Sequence, residues 1–352
     1  MLKSHFNLTQ RDKEGEEVED EYESKSEHSK ENELPKSERR LNRSEVSVRL
    51  SHLGKTADGD GYTYLKAKCT GMHLTDISAI VSFKHLQFVD VSNNLLTTEA
   101  LQVVTKLPFL VLIHADKNRL DSASLKKAKY LQVIIMNYNN ITSVNDVYQP
   151  ELSTLEVGYN KVENIAFKNR MPTLKCLDFR YNLISNISDL NFPNLDSLYL
   201  AGNKIKSLIG LEKLINLRIL HVRNNPIASL NGFDSGLTKL EYINLRNCKV
   251  GTLKQIKKLQ CLKALEILVI KGCPYMGGNG EEGTEVTEED DGQLRIEVLA
   301  VLPRLKRLNK DVVTPEERTE AKTLMTHLLE EDENDEEETD EKAEEEEYKN
   351  DI

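Results

Sequence analysis

Leu195-Asp-Ser-Leu-Tyr-Leu-Ala-Gly-Asn-Lys-Ile205-Lys-Ser-Leu-Ile-Gly-Leu-Glu-Lys-Leu-Ile-Asn-Leu217 carries the plan of the chain. Leu195, Leu198, Leu200, Asn203 and Ile205 spell L-x-x-L-x-L-x-x-N-x-I, and Leu208, Leu211, Leu214 and Leu217 follow at intervals of three. The first part alternates apolar and polar side chains as a short strand does, and the three-residue interval suits turns of 3₁₀ helix on the opposite side. Asn203 falls in the turn between them, where a buried amide can donate to and accept from backbone groups that a sharp stacked turn leaves unpaired. A unit this small cannot bury its own leucines, so the pattern has to recur.

It recurs from Leu86, Leu110, Leu131, Leu152 and Leu174 through Leu195 to Leu217, Leu240 and Leu265, at a period of roughly 21 to 25 residues, within the range of leucine-rich repeats. Tyr64, Ala67, Cys69, Met72 and Leu74 fit the frame loosely, as a first repeat that caps a stack does. The Asn position reads Asn94, Asn118, Asn139, Asn160, Asn182, Asn203 and Asn225, then Cys248 and Cys273. A thiol is the weaker hydrogen-bonding group, so the ladder should be less uniform at its C-terminal end. The pattern predicts an α/β solenoid: a leucine-rich repeat horseshoe of the intervals-of-three type. It should have one curved parallel sheet, a convex side of 3₁₀ helix and turns, and a C-terminal helical cap.

Outside the repeats the composition changes. Residues 1–60 are rich in Glu, Lys, Ser and Arg with few apolar side chains and read as a disordered charged arm. The repeat domain follows over 61–312, interrupted by an acidic, Gly-rich loop at 276–292. Arg295 to Leu308 supplies the helix and paired leucines of the cap. Thr314-Pro315-Glu316-Glu317 is a capping box with Pro at the first helical position, opening an amphipathic helix over 313–330. Its face of Ala321, Leu324, Leu328 and Leu329 could pack on the cap or meet another protein. Residues 331–352 read as an acidic disordered tail.

The 352 residues are 39% apolar and 30% charged with a formal net charge of −11. No run of about 18 apolar residues stands together, and the N-terminus turns polar at once, so neither a membrane span nor a secretory signal is expected. The five cysteines form no C-x-x-C pair and suit reduced thiols. Gly54-Lys55-Thr56 looks like the end of a phosphate loop, but Arg49 stands where its first Gly belongs. Asp58-Gly-Asp60-Gly61 resembles a calcium loop, with Thr56 and Ala67 at ligand positions, and reads better as a turn. No G-x-S-x-G or H-E-x-x-H occurs, so no enzyme, cofactor, metal or small-molecule substrate is expected.

Function then rests on what the strands hold outward. The acids Asp90, Asp116, Glu156 and Asp178 lie toward the N-terminal half of that face, and Arg180, Arg223, Arg246 and Lys271 toward the C-terminal half, a dipolar strip. Tyr138, Tyr159 and Tyr181 each stand one residue before the repeat Asn and should stack near the rim. Aromatic and Arg side chains anchor protein interfaces, and apolar residues facing water are costly. The candidate partner-binding residues are therefore Phe88, Asp116, Ile135, Tyr138, Tyr159, Tyr181, Tyr199, Arg223 and Arg246. Nucleic acid is a poor partner, because the chain is acidic and carboxylates flank its short basic strip.

One stretch is more specific than the repeat. His73-Leu-Thr-Asp-Ile-Ser-Ala-Ile-Val-Ser-Phe-Lys-His-Leu-Gln-Phe-Val-Asp-Val-Ser-Asn-Asn-Leu-Leu96, Ala115-Asp-Lys-Asn-Arg-Leu120, the ending Arg295 to Leu308 and Glu316-Glu-Arg-Thr-Glu-Ala321 together resemble the leucine-rich repeat-containing protein 23 family, radial-spoke components of motile cilia. The resemblance spans Gly61 to Lys322. It implies a non-catalytic scaffold in the cytoskeleton of the cilium, assembling or linking spoke heads through contacts with other axonemal proteins. Two other classes share the features: repeat modules that embrace a protein phosphatase, and acidic-tailed nuclear proteins that bind histones.

Overall fold

The computed structural model describes residues 38–56, 58–281 and 291–326. Among these described residues thirteen strands form one open sheet in strict chain order. After β1 (Leu50–Lys55) and β2 (Tyr62–Lys68) come strands of three residues: β3 (Phe88–Asp90), β4 (Leu112–His114), β5 (Val133–Ile135), β6 (Thr154–Glu156), β7 (Cys176–Asp178), β8 (Ser197–Tyr199), β9 (Ile219–His221), β10 (Tyr242–Asn244) and β11 (Ile267–Val269). Two short strands, β12 (Arg307–Leu308) and β13 (Asp311–Val312), close the order. Each strand is short because only the middle residue and its neighbours lie in the frame before the Asn turn begins.

Pairing is parallel from β2 to β12, in the register the repeat predicts, with Leu177 beside Leu198 and Leu198 beside Leu220. The sheet departs from an all-parallel one at its ends, where β1 pairs β2 and β12 pairs β13 antiparallel. A terminal strand needs no crossover to a further repeat, so a hairpin partner suffices there. On the opposite side 3₁₀ turns occur at Ser78–Ser82, Gln102–Lys106, Leu211–Lys213 and Lys258–Cys261, joined by α-helical turns at α2 (Thr98–Leu101) and α3 (Leu253–Lys257) that the interval of three did not predict. The leucines of all repeats meet in one continuous core.

The Asn residues stitch the stack. Asn203 Nδ2 donates to the carbonyls of Phe179, Leu200 and Ala201 at 2.9, 3.0 and 3.3 Å, and its Oδ1 accepts from Ile184 N at 3.0 Å. One amide thus ties its own turn to the preceding repeat. Cys248 and Cys273 donate only to Val222 O at 3.3 Å and Leu245 O at 3.1 Å, the less uniform ladder expected of thiols.

The N-terminal boundary needs correction. The stretch read as arm through residue 60 has structure from Arg39: α1 (Arg43–Ser47) and then β1. Asn42 caps α1 reciprocally with Glu45, at 2.9 and 3.0 Å, and Leu41 and Val46 are buried in the core. Two apolar side chains suffice here because they land on the exposed end of a stack already built. Residues 1–37 lie outside the described residues.

At the other end α4 (Asp291–Val301) buries Ile296, Val298, Leu299, Ala300 and Val301. The box at Thr314 forms, with Thr314 N donating to Glu317 Oε2 at 2.7 Å and Glu317 N to Thr314 Oγ1 at 3.2 Å. Over 315–326 the chain is helical, Ala321 is buried, and Leu324 and Met325 pack on the core. Leu328, Leu329, the tail over 331–352 and most of the acidic loop, residues 282–290, lie outside the described residues.

Candidate functional site

In each short strand the middle residue points into the core and its neighbours point out. Val89, Ile113, Ile134, Leu155, Leu177, Leu198, Leu220, Ile243 and Leu268 are wholly buried, while the flanking residues form columns on the outer strand face. That face has three distinct regions.

The first is a polar network. His114 lies between Asp90, 3.5 Å from Nδ1, and Asp116, 3.0 Å from Nε2. Burial works against its charge, but hydrogen bonds to Asp116 and Asp90 outweigh burial and push His114 up to about 10. Burial likewise resists ionisation of Asp90, yet His114 and Ser92 hold it down at about 2. Asn137 continues the chain: its N–H donates to Asp116 at 2.6 Å, and its amide nitrogen lies 3.4 Å from Asp116 and 3.5 Å from Glu156. His114 therefore offsets much of the acidic end of the expected strip.

Burial first, and then the nearby Asp178 charge, raise Glu156 to about 7. A carboxyl raised in the folded state stabilises it below the unfolded pKa, and that contribution is lost as pH rises through 7. Glu156→Gln should therefore match the wild type near pH 5 and exceed it at pH 8 by roughly 2 kcal/mol. Urea unfolding at the two pH values measures this, and equal stabilities at pH 8 would show that Glu156 ionises without cost.

The second region is the rim. Tyr138, Tyr159 and Tyr181 stack with centroids 4.1 and 4.5 Å apart, as the spacing predicts, and Lys117 Nζ sits 5.3 Å from the Tyr138 centroid. All three tyrosines have φ between 52 and 55°. Bulky residues rarely adopt that left-handed region, at a cost of about 1–2 kcal/mol each. Every repeat uses it at this position, from Asn93 and Lys117 to Gly202, Asn224, Asn247 and Gly272. The row ends at Gly202 because a Cβ there would lie 2.5 Å from the Tyr181 ring. Gly202→Ala should cost about 2–3 kcal/mol through that contact and its φ of 66°. A thermal melt unchanged from wild type would show that the row can shift.

The third region begins at Arg180, whose guanidinium grips Asp178 at 2.9 Å from Nε and 2.7 Å from Nη2, and lies 5.7 Å from the Tyr199 centroid. Tyr199, His221 and Tyr242 continue the stack at 4.9 and 4.8 Å. Arg223, Arg246 and Lys271 stand in the neighbouring column, two residues beyond His221, Asn244 and Val269 in register.

The nine sequence-predicted residues do not form a single cluster. Phe88, half-buried on β3 with the His52 ring 6.0 Å away, and Asp116 lie at the N-terminal end. Ile135 is buried on β5 and so presents little apolar surface to a partner, contrary to the expectation from its outward place in the repeat. Tyr199, Arg223 and Arg246 belong to the third region. Seven strand intervals separate Phe88 from Arg246, roughly 30 Å along the sheet at the usual strand spacing. Absent from that set were His114, Glu156, His221 and Tyr242, though aromatic rings at 199, 221 and 242 in consecutive outward frames were a readable signal.

Burial pushes all five thiols upward, the opposite of what a nucleophile needs. Among the described residues, no group of three or more His, Cys, Asp or Glu is placed to hold a metal.

Stacked short strands, an Asn ladder and a broad outer face of charge and aromatic rings define a leucine-rich repeat solenoid, a class typically serving as a protein-interaction scaffold. The repeat family described as Leucine Rich repeats (2 copies) matches residues 172–214 and 215–258. Leucine-rich repeat-containing protein 23 of Homo sapiens is 34% identical over 288 residues, 81% of this chain and 80% of that protein. Its Mus musculus counterpart is 34% identical over 322 residues, 91% and 89%. The chain belongs to the leucine-rich repeat-containing protein 23 family. Among solved structures, an internalin from Listeria monocytogenes overlaps with a TM-score of 0.48 at 18% identity, over 72% of this chain and 84% of that one. So distant an overlap adds nothing to the assignment.

Proposed function

We propose that this protein is a non-catalytic structural component of the ciliary axoneme, a radial-spoke protein that assembles or links spoke heads through protein contacts on its strand face, in support of motility. Its partners are other axonemal proteins, with no part for nucleic acid, membrane or small-molecule substrate. The observation that carries the reading is family membership over most of the chain. The strand face supports it, since it offers anchors for protein contact, and Asp90, Asp116 and Asp178 are engaged with His114 and Arg180. A tagged copy in a ciliated cell should lie along the axoneme and extract with the spoke fraction. A nuclear location would favour histone binding, co-purification with a phosphatase would favour the regulatory module, and either result sinks the spoke assignment.

A further inference from the structure

Arg223, Arg246 and Lys271 occupy equivalent places in adjacent repeats. Gly202 N donates to Arg223 O, Asn224 N to Arg246 O and Asn247 N to Lys271 O, at 2.9, 2.9 and 3.0 Å, so the three cations follow one another across the sheet. Neighbouring strands lie about 4.8 Å apart, and like charges side by side on a sheet repel. The row is also contrary to the acidic character of the chain, whose net charge is −11. Beside it runs the stack of Tyr199, His221 and Tyr242, in which the two tyrosines are half-buried and His221 between them is buried. Beneath lies buried Asn244, whose Oδ1 accepts from Arg246 N at 3.0 Å and whose amide nitrogen is 3.4 Å from the Tyr242 hydroxyl. Asn244 thus ties the Tyr242 ring to the backbone of Arg246.

We propose that the C-terminal half of the strand face, over β8 to β11, docks an acidic segment of a partner protein laid across the strands, its carboxylates on Arg223, Arg246 and Lys271 and its apolar or aromatic side chains on the Tyr199 to Tyr242 stack. This deepens the interaction role proposed above and rests on it. The three cations span roughly 10 Å, the reach of about three extended residues. That length fits a short acidic run. A nucleic-acid strand continuing along the face would carry its phosphates over Asp178, Glu156 and Asp116, whereas a protein segment can change character there.

The full chain tests this by fluorescence anisotropy at low salt with a short fluorescein-labelled peptide of alternating glutamate and tyrosine. The wild type should bind it and added salt should weaken binding, whereas binding of the matching lysine–tyrosine peptide, which the chain's acids can hold, should not depend on Arg246 or Lys271. Arg246→Glu combined with Lys271→Glu should weaken binding by about tenfold or more with an unchanged thermal melt. No binding at low salt, or equal binding by the double variant, overturns the proposal. So does tighter binding of an oligothymidylate that needs the same two cations. A gain of about tenfold on removing residues 327–352 would assign the row to this chain's own tail, and would overturn docking of a partner. The peptide result is independent of where the tagged protein lies in the cell, so failure of one does not mimic failure of the other.

Discussion

Leu200→Asp should abolish folding of the repeat domain, whereas Tyr199→Ala should leave it folded. Leu200 is fully buried, and its N–H donates to His221 O at 2.7 Å, so its backbone is fixed on both sides of the strand junction. Losing a buried leucine costs about 2–5 kcal/mol. A carboxylate in its place lacks a cation inside the leucine core and adds several kcal/mol, or must stay protonated at a similar cost. The sum reaches the whole net stability of about 5–15 kcal/mol typical of a domain. In a solenoid the lesion also falls on the repeat that joins those before and after it. Tyr199, one residue away, points to the outer face and is partly exposed. Truncating it removes ring contacts with His221 and Arg180, worth about 1 kcal/mol. Far-UV circular dichroism and thermal melts of the two variants make the comparison, and equal loss of folding would contradict the inward and outward assignment of the strand.

That contrast depends on a frame that the sequence displays openly. Leu198, Leu200, Asn203 and Ile205 recur at a short period, so the inward leucines, the Asn turn and the tyrosine stack could each be located from spacing alone. Features that depend on single residues were hidden. Leu41 and Val46 are diluted among charges, and only the open end of the core turns them into a structural element. The left-handed turn before each Asn is plain at Gly202, Asn224, Asn247 and Gly272, but Lys117 and the three tyrosines disguise it. His114 meets Asp90 on the preceding repeat, a pairing invisible until the chain is cut and stacked. The candidate site was legible as a list of outward residues. The tyrosine rim and the cations of the C-terminal half were legible with it, but the His114 network and the stack of Tyr199, His221 and Tyr242 were not, because each is made between repeats.

Asn203→Ala should cost about 3 kcal/mol or more, against about 1 kcal/mol for Cys248→Ala. The two residues occupy the same place in the frame and differ in how many backbone groups they satisfy. Asn203 engages three carbonyls and the Ile184 N–H, and both Asn203 and Ile184 are buried. Alanine removes the whole amide and strands the Ile184 N–H, and a buried donor without a partner costs about 1–3 kcal/mol before the lost carbonyl contacts are counted. Cys248 is a weak donor to Val222 O at 3.3 Å and its sulfur a weak acceptor from the Asn225 backbone, so its removal costs little. Urea unfolding of both variants gives the difference directly. Because the amide ties two repeats together, Asn203→Ala should also lower the cooperativity of the transition, since the stack can then separate between β7 and β8. Equal costs for the two substitutions would show that leucine burial alone fastens the repeats, and that the amide ladder only follows the geometry the leucines impose.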